Sequence, residues 1–118
     1  MSSILINFKN KERFILLDCG EGTFNQIYDH FGPQYTDNIL SRISLIFISH
    51  QHGDHYLGIL KIIYEIQNNQ NLRPNKDRVW IIAPVIIYSW INKIYVNDPI
   101  FQNLFELSIY KINTSSQM

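Results

Sequence analysis

The chain has 118 residues, 46% of them hydrophobic and 17% charged, which fits one small globular domain and excludes a disordered segment. Ten Lys and Arg balance ten Asp and Glu, so no net charge marks a self-sufficient binder of polyanions. A single cysteine, Cys19, excludes an internal disulfide, and no apolar run is long enough to cross a bilayer.

In chain order, the N-terminus carries no charged leader before a long apolar region, so no secretory signal is expected. Ile4–Phe8 and Arg13–Asp18 read as two strands joined by a charged turn, a hairpin. Gly20-Glu21-Gly22 then forms a loop open to backbone angles closed to other residues, and Thr23 is placed to cap the helix beyond it. Cys19, inside this loop, reads as a small packing residue rather than a nucleophile. Phe24, Ile27, Tyr28 and Phe31 recur at helical spacing, one stripe facing a core, until Gly32-Pro33 ends the helix. His30 falls on the polar side.

A short helix is expected over 37–42, then a buried strand, Ser44–Ile48, that runs into Ser49-His50-Gln51-His52-Gly53-Asp54-His55. Beyond it, Ile59, Ile62, Ile63 and Ile66 mark a second amphipathic helix, and residues 68–75 a polar, turn-rich loop. Val79–Ala83 is a strand ended by Pro84. Ile87, Trp90, Ile91 and Ile94 mark a third helix, and 105–112 a last strand before a polar tail. Trp80 and Trp90 are expected in the core. Two basic groupings, Lys9, Lys11 and Arg13, then Arg73, Lys76 and Arg78, read as solvated loop charges. Strands alternating with helices predict an α/β layered fold.

The chemistry concentrates in the loop after the third strand. Neutral imidazole nitrogens and a carboxylate are the donors that a borderline ion such as zinc prefers. Alternation along a strand lets His50 and His52 point the same way, while a turn at Gly53 brings Asp54 and His55 to a second point. One loop therefore suits two adjacent cations, His50 and His52 on one and Asp54 and His55 on the other. Such a pair lowers the pKa of a shared water from ~15.7 towards about 7. Asp54 is also the candidate to orient that water or take its proton. Asp18, at the end of the neighbouring strand, is placed to accept from a metal-bound imidazole or a loop amide, or simply to satisfy its own turn. Gly20, Gly22 and Thr23 either admit a phosphate to backbone amides or only shape the turn.

The H-x-H-x-D-H form of His50–His55 resembles the metal loop of the metallo-β-lactamase superfamily. Upstream, the strand ending in Asp18-Cys19-Gly20-Glu21-Gly22-Thr23, with Gln26 nearby, resembles ribonuclease Z, the tRNA 3′-processing endonucleases. The wording around both motifs is most similar to the catalytic half of the long eukaryotic form, from about Ser2 to about Tyr95. That resemblance implies an αββα sandwich, two Zn2+ ions per complete site, and precursor tRNA as substrate. It further implies a cut just after the discriminator base and a nuclear or mitochondrial location, with the cytoplasm also open. Glu21 and Gln26 belong to the motif without an assigned role.

The family's remaining ligands are another His, a bridging Asp and a final His, yet no histidine follows His55. Asp77 and Asp98 lie in contexts unlike the bridging aspartate. Also missing are the downstream H-[ST] loop and the basic P-x-K-x-R-N stretch. The expectation is a partial metallo-β-lactamase domain over 1–118, truncated at both ends, that neither cleaves precursor tRNA nor retains two zincs by itself. Two alternatives stand beside it: another hydrolase of this fold, acting on phosphodiesters or thioesters, and a non-catalytic zinc-binding remnant. Oligomeric state, a homodimer included, is left open.

Overall fold

The computed structural model of the chain describes residues 3–8, 13–50, 53–73 and 77–110, and of Asp54 the backbone alone. Among the described residues, five strands form one sheet in chain order. These are β1 (Ile4–Phe8), β2 (Arg13–Leu17), β3 (Ile43–Phe47), β4 (Val79–Pro84) and β5 (Phe105–Tyr110). β1 and β2 are the expected antiparallel hairpin; β2 through β5 are parallel. Parallel neighbours require crossovers, and helices supply them: α1 (Thr23–Ser41), α2 (Gly53–Tyr56), α3 (Ile59–Asn68), α4 (Val85–Tyr95) and α5 (Pro99–Leu104).

Register explains why the sheet has two unlike faces. Leu5, Leu16, Ile46, Ile81 and Leu107 stand in one row across all five strands, and the helices pack on that side. Ile59, Ile62, Ile63 and Ile66 of α3 are all fully buried there, as the helical spacing predicts. The opposite face carries the rows Ile6, Ile15, Leu45, Trp80 and Ile4, Leu17, Phe47, Ile82. No helix of the described residues covers it, and Ile4 and Trp80 remain 61% and 48% exposed. A sheet apolar on both faces but covered on one is half of a layered sandwich.

Several expectations change. The helix stripe Phe24, Ile27, Tyr28, Phe31 is buried only at Ile27, with Phe24 packed at the core's edge and Tyr28 and Phe31 largely exposed. The reason is the break at Gly32, with φ 79 and ψ 171, after which Pro33 restarts the helix and Thr36, Ile39 and Leu40 take over the buried side. The expected stop and the short helix at 37–42 are thus one kinked element. Trp80 is not core, because its odd register turns it to the uncovered face. Ile94 is likewise exposed, at the far end of α4. Two residues of the last expected strand, 111 and 112, lie outside the described residues.

α5 has no sequence expectation, although Asp98-Pro99 signals it: the Asp98 carboxylate accepts from the amides of Ile100 at 3.0 Å and Phe101 at 3.1 Å, with Pro99 at the first helical position. Arg73 is not a solvated loop charge. Its guanidinium donates to the carbonyls of Leu40 at 3.4 Å and Ile43 at 3.0 Å, tying the end of α3's loop to the start of β3.

Candidate metal centre

The parallel pair β2 and β3 ends in two loops side by side. Backbone bonds stitch them: the Cys19 amide donates to the His55 carbonyl and the Gly58 amide to the Cys19 carbonyl, both at 2.8 Å. Gly58 is glycine because the backbones touch here. A Cβ on it would lie 2.1 Å from the Gly20 carbonyl oxygen. Thr23 does not cap α1 by accepting from its amides; it is buried as the first helical residue, and its hydroxyl donates to the Gly20 carbonyl at 2.7 Å. Gly22, φ 83, supplies the left-handed turn that enters the helix. Burial pushes the Cys19 thiol up to about 12, as befits a packing residue.

Asp18 is the hub. Its backbone has φ 62, a left-handed conformation that Asp tolerates when its side chain bonds locally. One carboxylate oxygen accepts from the Ser49 amide at 2.8 Å and the Ser49 hydroxyl at 2.9 Å. The other lies 3.1 Å from Nδ1 of His55. Burial tends to raise the Asp18 pKa, but the Ser49 amide, His55 and the Ser49 hydroxyl outweigh it and hold the carboxyl below its ordinary value.

Ser49 Oγ is also 2.7 Å from Nδ1 of His50, and the rings of His50 and His55 approach to 4.7 Å between centroids, tilted by 38°. The structure thus brings together Asp18, His50 and His55. His52 and the Asp54 side chain lie outside the described residues. Among the described residues no three His, Cys, Asp or Glu side chains converge to hold an ion. Still, the two rings fit the role of ligands: each has Nδ1 against a protein oxygen, which is how a metal-binding imidazole is normally oriented. Gly53 opens the one-turn helix α2 rather than a loop, so Asp54 and His55 are helical in backbone. Asp77 pairs with Arg13 at 2.7 Å and Asp98 caps α5, so both have structural work elsewhere. Ser49 is the residue of this site that sequence reasoning passed over. Its place between Ile48 and His50, at the entry to the histidine loop, was the available signal.

Residues 13–104 match the family described as Beta-lactamase superfamily domain. The chain belongs to that superfamily. Within it, the chain is 34% identical over 94 residues to Zinc phosphodiesterase ELAC protein 2 of Macaca fascicularis, covering 79% of this chain and 11% of that protein. It is 36% identical over 91 residues to Ribonuclease Z, mitochondrial, of Drosophila melanogaster, covering 77% of this chain and 11% of that protein. Among solved structures it superposes on a long form RNase Z from yeast with TM-score 0.73 at 23% identity, over 90% of this chain and 15% of that one. It superposes on human tRNase Z, short form, with TM-score 0.67 at 22% identity, over 93% and 38%. The fold is therefore a partial metallo-β-lactamase fold, corresponding to the helix-covered sheet described above. The chain spans about a tenth of the length of the curated relatives it matches.

Proposed function

We propose that the chain is the front part of the catalytic half of a zinc-dependent endoribonuclease that removes the 3′ trailer from precursor tRNA. The observation that carries this reading is the Asp18 carboxylate, which joins the two loops whose wording resembles ribonuclease Z: it accepts from Ser49 and lies 3.1 Å from His55. The names of the relatives support the same activity. Those of the fly and of Schizosaccharomyces pombe are called mitochondrial, which favours that compartment.

In this proposal His50 and His52 hold one zinc, and Asp54 and His55 the other. Bound there, the ions supply Lewis-acid activation of water and neutralise charge at the phosphodiester. The chain's own residues do the rest. Asp18 fixes the ring of His55, and Asp54 orients the attacking water or takes its proton. Of the Gly20–Thr23 turn, Glu21 is exposed and Gly22 half-buried, so a phosphate would approach the backbone there, while Thr23 spends its hydroxyl on Gly20. Two protein ligands per ion fall short of the usual three or four, so the 118-residue chain alone is expected to be inactive.

The test is a substrate panel offered to the polypeptide extended through its genomic flanks. Release of a trailer from precursor tRNA, leaving a 3′-hydroxyl on the tRNA body and lost by ~100-fold or more in Asp54→Ala, supports the proposal. Hydrolysis of thioesters or small phosphodiesters without cleavage of precursor tRNA would replace it with another hydrolase of this fold. One tightly held zinc without any hydrolysis would favour a non-catalytic zinc-binding element.

A further inference from the structure

We infer that Ser49 is a positioning residue: its hydroxyl extends the Asp18 carboxylate to His50, so that one carboxylate sets the tautomer of both the His50 and the His55 imidazole. This rests on the metal reading above for its purpose, although not for its geometry.

Ser49 Oγ has one hydrogen and three polar neighbours: the two Asp18 oxygens at 2.9 and 3.0 Å, and His50 Nδ1 at 2.7 Å. An ionised carboxylate can only accept, so the hydroxyl hydrogen goes to Asp18. If it went to His50 instead, the serine oxygen would face both carboxylate oxygens at about 3 Å with no proton between them. With its hydrogen committed, Oγ offers His50 a lone pair, and Nδ1 of His50 must carry the proton. Nδ1 of His55 faces Asp18 directly at 3.1 Å and must carry one for the same reason. In a neutral imidazole the proton on one nitrogen leaves a lone pair on the other, so both rings present Nε2 as the donor atom. The Ser49 amide, 2.8 Å from the same carboxylate, anchors the backbone of this relay beside Asp18.

His55 lies beside Asp18 and needs no intermediary. His50 is exposed one residue past Ser49, and among the described residues the Ser49 hydroxyl lies between its Nδ1 and the carboxylate. Threonine carries the same hydroxyl, whereas alanine has none.

The test is nitrogen-15 NMR of the histidine rings in the metal-free 118-residue chain, at a pH where they are neutral. Wild type is expected to show protonated Nδ1 at both His50 and His55. Ser49→Ala is expected to lose that signature at His50 alone, Ser49→Thr to keep it, and Asp18→Asn to lose it at both. Zinc titration of the same substitutions in the polypeptide completed by its flanks should show Ser49→Ala weakened by ~10-fold or more and Ser49→Thr restored. A wild-type His50 protonated on Nε2 overturns the inference without any variant having to fold, and so does an unchanged His50 in Ser49→Ala. If both tautomers are as stated but the polypeptide completed by its flanks binds no divalent ion, the relay stands and the metal reading falls.

Discussion

Gly58 lies against Gly20 so closely that a Cβ on Gly58 would sit 2.1 Å from the Gly20 carbonyl oxygen and 3.1 Å from that of Cys19. Both obstacles are backbone, held in place by the Gly58 and Cys19 amide bonds, so neither can swing aside. This contact sets the separation of the two loops and therefore the reach from Asp18 to His55.

Gly58→Ala should accordingly force the loops apart and cost about 1–3 kcal/mol, the range for overpacking a closed site. Urea unfolding measures it as a lowered midpoint at unchanged slope. Gly53→Ala is the comparison, since its Cβ would meet only the flexible tip of Leu57 at 3.0 Å; it should change stability far less. Equal losses at both positions would contradict the close approach.

The Arg73 guanidinium holds two backbone carbonyls, Leu40 and Ile43, at the junction of α1 and β3. Arg73→Ala should cost about 1–3 kcal/mol, the range for bonds to a charged donor and for carbonyls left unpaired. Arg73→Lys should restore little of it, because an ammonium is a point donor and cannot reach both carbonyls in the fork's geometry. Thermal or urea unfolding of the three proteins decides this, and full rescue by lysine would refute the fork.

Cys19 is fully buried, and burial raises its thiol pKa from 9.0 to about 12. Above pH 9 the unfolded chain gives up this proton while the folded chain keeps it. The contribution to stability is thus complete below the unfolded value and is lost as pH rises towards 12. Wild type should lose stability between pH 8 and pH 10 more steeply than Cys19→Ala. Ellman's reagent should find no reactive thiol in the native chain at pH 8 and one in urea. A reactive native thiol would show that the loop opens.

Most of the fold was legible because its signals are local. The isoleucines of α3 repeat at helical spacing and are all buried, and the hairpin of β1 and β2 follows from two β-rich runs around a charged turn. What could not be read depends on how the elements meet in space. Trp80 looks like a core residue within its strand, but its place in the row with Ile15 and Leu45 puts it on the uncovered face. Tyr28 and Phe31 match the helical period, yet the kink at Gly32 turns the second half of α1 inward in their place. At the site, the closeness of Asp18 to the loop of His50 and His55 was legible from residue type and position. Ser49 was not, since its importance comes from a carboxylate 31 positions away in sequence.

The central claim is that the histidines and aspartate after β3 hold cations for cleavage of RNA. It is tested most directly by measuring bound zinc and trailer removal together, in the polypeptide completed by its flanks, before and after His52→Ala. The account predicts that wild type carries zinc and releases the trailer, and that His52→Ala loses metal and cleavage together. A wild-type polypeptide that binds no transition metal, or a His52→Ala variant that still trims precursor tRNA at the wild-type rate, would contradict it.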